Sequence, residues 1–158
     1  LDYFNRVDNK EFDDLIHQAA EIIVNSHEVI CSGIGLSDAI AKFAASLFNR
    51  KGKRTMYSGD FSSRFRGMYD QNDCALFFTV SGETREIIDR IKDLKKYDIK
   101  IIVITNSASS TAAKMSDLAL TYYMPSTKNG DFYSSATQVP VLYIIESIAN
   151  LFIEYGIY

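Results

Sequence analysis

The sequence predicts an α/β protein in which a five-stranded parallel sheet is covered by helices on both faces. Three observations predict it. Short apolar runs recur at 28–32, 54–57, 74–78, 100–104 and 118–122, too short for helices and without the alternation of a half-exposed strand. The segments between most of them repeat their apolar residues every three or four positions, as one face of a helix does. Most runs end in glycine, serine, threonine or asparagine, which turn a chain and start a helix. Strands alternating with helices form parallel sheets through right-handed crossovers, which gives a three-layer αβα sandwich.

Phe12, Leu15, Ile16, Ala19, Ala20, Ile22 and Ile23 mark a first helix over about 9–25. A strand at 28–32 leads into Gly33, Ile34, Gly35, Leu36 and Ser37, and Leu36, Ile40, Phe43, Ala44, Leu47 and Phe48 mark the next helix, ended near Gly52. A weaker strand at 54–57 turns through Ser58, Gly59 and Asp60 into a short helix reaching Phe65 and Met68. The third strand, 74–78, feeds a hydroxyl-rich turn and a helix to about Tyr97. The clearest strand, Lys100 to Ile104, precedes a Ser/Thr cluster that caps a short helix through Met115. After the fifth strand a polar loop at 126–133 leads to a closing helix over about 137–155. Its polar positions Glu146, Asn150 and Glu154 form a narrow stripe and the rest is apolar, so this helix is expected to be buried on two sides, one of them against a second copy of the chain.

A chain of 158 residues with 47% hydrophobic and 23% charged residues reads as one ordinary domain with a substantial core. The net charge of -3, with Lys and Arg scattered, offers no basic stripe for DNA or RNA. No apolar run approaches membrane-spanning length, and the first residues lack the charged and apolar regions of a signal peptide. Cys31 and Cys74 both fall in apolar runs and read as buried thiols of a reduced, cytoplasmic protein.

The turn Thr79, Val80, Ser81, Gly82, Glu83, Thr84 is the centre of the functional reading. It sits where a strand gives way to a helix, whose first N–H groups lack internal partners and carry partial positive charge. A small anion is the natural occupant. Ser81 and Thr84 add hydroxyl donors, and Gly82 lacks the Cβ that would hold a ligand off the backbone. Ser81 serves equally well as a simple N-cap, and Glu83 as an acidic first-turn residue.

Ligands of open parallel sheets bind at the strand carboxyl ends, where the strand order reverses. Gly35, Ser37, Ser58, Thr79, Ser81, Thr84 and the 105–111 turn all belong to that rim, and both histidines lie away from it. A monophosphate fits several neutral hydroxyls backed by helix N-termini. Asn106 and the Ser134–Ser135 turn are candidates for the remaining polar contacts, and Lys42 and Arg85 read as solvated charges. A dinucleotide does not fit, because Asp38 occupies the third glycine position of the Gly33-Ile34-Gly35 fingerprint, and Asp60 alone is a weak ribose acid. No cofactor is expected. Two separated histidines and two strand cysteines make no metal set, and no histidine stands near Ser81 to activate it. Glu83 is the rim carboxylate that could act as a base in an aldose–ketose isomerisation.

Gly33-Ile34-Gly35-Leu36-Ser37, then Thr79-Val80-Ser81-Gly82-Glu83-Thr84, then Ile104-Thr105-Asn106 before a Ser-rich turn, resembles the sugar isomerase (SIS) domain over about 12–152. Ser134-Ser135-Ala136-Thr137-Gln138 before a long apolar helix is similar to the effector domain of RpiR-type transcriptional regulators. The resemblance implies a flavodoxin-like strand order and phosphosugar contacts at Ser37, Thr79, Ser81, Thr84 and Ser134. It implies a sugar-phosphate sensor, and the wide apolar face of the closing helix adds the expectation of a homodimer or higher homo-oligomer. DNA would be bound only through a helix-turn-helix segment that this sequence does not contain, so the chain reads as the carboxyl-terminal part of a longer protein. The alternative it implies is a sugar-phosphate isomerase. Ser135 stands where relatives place arginine, and no histidine maps to the rim.

Overall fold

The computed structural model describes residues 10–62, 68–122 and 137–158. In chain order the elements are α1 (Lys10–Asn25), β1 (Val29–Gly33), α2 (Leu36–Arg50), β2 (Thr55–Tyr57), β3 (Cys74–Phe78), α3 (Arg85–Lys95), β4 (Lys100–Thr105), α4 (Thr111–Met115), β5 (Leu118–Thr121) and α5 (Val139–Asn150), then a 3-10 turn (Phe152–Tyr155). The expected elements are all present except the short helix through Phe65, which lies outside the described residues.

The five strands form one sheet in the order β2-β1-β3-β4-β5, with every neighbouring pair parallel. This is the expected strand order. Each residue of β1 and β3 is buried, which is why those runs show no polar alternation. Alternate residues still go to opposite faces. Val29, Cys31, Leu76, Phe78, Ile102 and Ile104 pack with α1, α2 and α5. Ile30, Ala75, Phe77, Ile101 and Val103 pack with α3 and α4. The result is the three-layer αβα sandwich.

The edge strand β2 is held from outside the sheet as well. Asn49 at the end of α2 donates Nδ2–H to the Thr55 carbonyl at 2.8 Å, and its Oδ1 accepts the Thr55 N–H at 2.8 Å.

The closing helix departs from expectation. It ends at Asn150; the chain then tightens into the 3-10 turn and finishes in Gly156 at φ 108°. The tightening turns Phe152 inward, where it meets Phe48 edge to face at 5.1 Å. Glu154 therefore does not continue the helical stripe of Glu146 and Asn150. Pro140 stands in the first turn of α5, where its missing N–H costs nothing. Val139 and Tyr143 on it are 56% and 42% exposed in the single chain. Among the described residues, no helix is long and apolar enough to cross a membrane.

Candidate ligand-binding site

The strand order reverses between β1 and β3, because the chain leaves β1 for β2 on one side and returns to β3 on the other. The β1–α2 and β3–α3 turns therefore stand side by side at the carboxyl ends of adjacent strands. A cavity of about 320 Å³ opens between them.

On the first wall, Gly33 ends β1 with no room for a side chain. A Cβ there would lie 2.2 Å from the Ser37 carbonyl oxygen, so glycine lets the first turn of α2 settle on the strand end. Gly35 follows as the N-cap of α2 at φ 69° and caps with no side chain. Ser37, in the first turn, is buried and lines the cavity.

The second wall is the hydroxyl-rich turn. Thr79 Oγ1 accepts the Gly82 N–H at 3.2 Å and shares a hydrogen bond of 3.2 Å with Thr84 Oγ1. Ser81 Oγ accepts the Glu83 N–H at 3.1 Å, which leaves its own proton to donate. Thr84 is the N-cap of α3, and its side chain makes no cap bond. Thr79, Ser81 and Thr84 all line the cavity.

Gly82 and Glu83 point the other way, toward the β4–α4 turn. Gly82 has φ 70°, and a Cβ on it would lie 2.0 Å from Ser110 Oγ. Its lack of a side chain lets one turn dock on the next; it does not line the cavity. Glu83 reaches across to α4, accepting the Thr111 N–H at 2.8 Å and the Thr111 hydroxyl at 2.7 Å. Those bonds, led by the backbone one, hold its carboxyl below the usual range. Glu83 thus lies outside its own helix and serves the amino end of another, which replaces the expected first-turn role. The Thr105 hydroxyl donates to the Val80 carbonyl at 3.1 Å, and the Asn106 N–H to the same oxygen at 3.0 Å. The 105–111 turn, expected on the rim, is a buttress for the hydroxyl-rich turn and not part of the cavity wall.

Of the sequence-predicted residues, Gly35, Ser37, Thr79, Ser81 and Thr84 meet at the cavity. Ser134, with Ser135, lies outside the described residues. Lys42 pairs with Asp38 at 3.5 Å and sits 5.2 Å over the Tyr57 ring, and Arg85 lies within 3.8 Å of Asp89. Asp38 also accepts a hydrogen bond from Tyr57, which raises the phenol's pKa. No charged side chain lines the cavity among the described residues. Positive potential there comes from backbone N–H groups at the starts of α2 and α3.

One lining residue escaped the sequence reading. Gln138, the residue before α5, completes the cavity from a third element. Its Nε2 is buried with no hydrogen-bond partner among the described residues. In the sequence it is the last of the polar residues Ser134, Ser135, Thr137 and Gln138 ahead of an apolar helix and reads as a cap, so nothing distinguishes it there as a lining residue.

His17 bonds Tyr155 at 2.9 Å and His27 stands beside Asp73, both away from the cavity. Cys31 and Cys74 are buried and free, and burial pushes both thiols up, Cys74 to about 12. No group of three metal-binding side chains occurs among the described residues.

A family model described as SIS domain matches residues 22–144. An uncharacterised helix-turn-helix type transcriptional regulator of Clostridium perfringens is 29% identical over 89% of this chain and 53% of its own length. The sugar isomerase domain of an RpiR transcription factor from Sphaerobacter thermophilus superposes with a TM-score of 0.77 at 19% identity, covering 89% of this chain and 78% of that one. The NanR protein of Vibrio vulnificus, complexed with ManNAc-6P, superposes at 0.76 with 24% identity, covering 90% of this chain and 55% of that one. Arabinose 5-phosphate isomerases are also among the relatives. The chain spans only a third or less of the first four curated relatives that it matches.

Proposed function

Since the chain belongs to the SIS domain family, we propose that it is the phosphosugar-sensing effector domain of an RpiR-type regulator. One observation carries the reading: two helix-starting turns face each other across the sheet's reversal point and present Ser37, Thr79, Ser81 and Thr84 to a cavity with no charged side chain among the described residues that line it. Neutral donors and helix N-termini suit a phosphate group, and a cavity of about 320 Å³ is at the small end for ligand pockets, the size for one monosaccharide. The regulator relative and the ManNAc-6P complex of a similar fold support the same assignment.

The signal leaves through α5, which begins at Gln138 beside the cavity and carries Val139 and Tyr143 exposed. A second copy of the chain covers that face, together with exposed Leu36 and Phe43 of the adjacent α2. DNA contact belongs to a helix-turn-helix segment of the kind the regulator relative is named for. The free buried thiols favour a reducing, cytoplasmic setting. The isomerase alternative would need Glu83 as base, and that carboxylate is engaged by Thr111 and held ionised in a role at α4. We therefore favour sensing without turnover.

The test is a thermal-shift screen of N-acetylmannosamine 6-phosphate, arabinose 5-phosphate and glucose 6-phosphate, each beside its unphosphorylated parent. A ligand at about a hundred times its Kd adds about 2.7 kcal/mol, which raises the Tm by roughly 5–10 °C. The Ser81→Ala/Thr84→Ala double variant should still unfold cooperatively without ligand, at a somewhat lower Tm because two hydrogen bonds of the turn are gone, and should lose the shift. An undiminished shift in the double variant would remove the site. Turnover of any of these sugars, abolished by Glu83→Gln, would replace sensing with isomerisation. Val139→Asp should convert a dimer to a monomer in sedimentation, and a parent protein that is already monomeric would remove the interface.

A further inference from the structure

We propose that Gln138 is the sugar-reading residue of the site, donating its side-chain N–H to an uncharged oxygen of the bound sugar. This rests on the phosphosugar reading and deepens it.

The Gln138 amide nitrogen is buried and has no hydrogen-bond partner among the described residues. The residue lines the same cavity as Ser37, Thr79, Ser81 and Thr84. It occupies the N-cap position of α5, yet its side chain makes no cap bond. The nearby Thr137 hydroxyl accepts the Val139 N–H at 3.3 Å, so local backbone satisfaction falls to a neighbour. A buried donor with no local task disfavours the empty state, because water has been removed and nothing replaces it.

The identity of the missing acceptor follows from the other walls. Hydroxyls and helix starts of α2 and α3 supply the two facing walls of the cavity, where a dianion finds both donors and positive potential. Gln138 comes from α5 instead. Its amide is neutral, so it adds directional pairing without charge. A hydroxyl, ring or carbonyl oxygen of the sugar answers that geometry. A phosphate ester with an apolar body would leave the donor unpaired and be rejected, as sites built to pair a polar group reject analogues that lack it.

Gln138→Leu keeps the approximate shape and removes the donor. In the ligand-free protein its Tm should equal or exceed the parent's, since an unpaired buried donor is replaced by an apolar group. A clear fall in Tm would show that the amide holds the fold together, and would overturn the proposal. Binding of N-acetylmannosamine 6-phosphate, arabinose 5-phosphate or glucose 6-phosphate, whichever the parent protein binds most tightly, should weaken about ten- to a hundredfold. Inorganic phosphate, measured as a competitor, should keep its affinity to within about twofold. Gln138→Glu, which keeps the length and offers a carboxylate in place of the donor, should weaken the sugar phosphate at least as much as the leucine variant.

Equal sugar-phosphate affinity in parent and Gln138→Leu overturns this inference and leaves the phosphosugar reading standing. Parallel loss of phosphate and sugar phosphate assigns Gln138 to the phosphate grip and overturns the sugar assignment. A parent protein that binds none of the three sugar phosphates, or whose ligand phosphate does not displace, removes the phosphosugar reading itself and the inference with it.

Discussion

Replacing Gly82 with alanine tests the claim that this glycine exists for docking one turn on another. The new Cβ would lie 2.0 Å from Ser110 Oγ, 2.2 Å from Ser110 Cβ and 3.1 Å from Thr105 Oγ1. At φ 70° an L-residue also carries backbone strain of about 1–2 kcal/mol. Ser110 cannot simply rotate away, because its Oγ caps α4 by accepting the Ala113 N–H at 3.3 Å. Relieving the overlap adds about 1–3 kcal/mol. The variant should lose about 3 kcal/mol in all, or roughly 6–12 °C in Tm for a chain of this size. Gly156→Ala is the control for strain, in the left-handed region at φ 108° and ψ 8° with nothing within 4 Å of the added Cβ, so it carries the backbone strain alone. Urea unfolding of both, followed by circular dichroism, compares them directly. Adding Ser110→Gly to Gly82→Ala removes both close atoms and should recover about 1–2 kcal/mol, a non-additive result expected of touching residues. Equal losses for Gly82→Ala and Gly156→Ala, or an additive double variant, would refute the docking argument.

Three other perturbations bear on the same rim and its support. Glu83 has its pKa below the ordinary 4.5, so its stabilising contribution is present above about that pH and disappears as pH falls through the lower folded value. In a Tm-against-pH series Glu83→Gln should melt lower than the parent near neutrality, and the two curves should converge in acid. Thr79→Val leaves the buried Gly82 N–H without its acceptor and should lose about 1–2 kcal/mol in urea unfolding, while Thr79→Ser, which keeps the oxygen, should stay within about 0.5–1. Asn49→Ala removes both bonds to Thr55 and should cost about 1–2 kcal/mol, with faster amide exchange across Thr55–Tyr57 as the local readout.

The amino-acid sequence by itself determined the elements and their class. Apolar runs of strand length and helical spacing are local properties, so β3 and β4 were readable within a residue, and α1 nearly so. The turn chemistry was equally local, which is why Gly35, Ser37, Thr79, Ser81 and Thr84 could be singled out before any fold existed. The tertiary structure decided which of those turns face each other and which way each side chain points. Ser37 and Thr84 share a cavity only because β1 and β3 are neighbours at the reversal point. Glu83 turned to Thr111 because the next strand led into a helix whose first N–H, that of Thr111, lay within its reach. Gln138 arrived from more than fifty residues away, and the last helix stopped at Asn150 because Phe152 found Phe48. Periodicity and capping act over one or two turns of chain, whereas cavities and orphaned donors are made by contacts between segments that the chain brings together only when it folds.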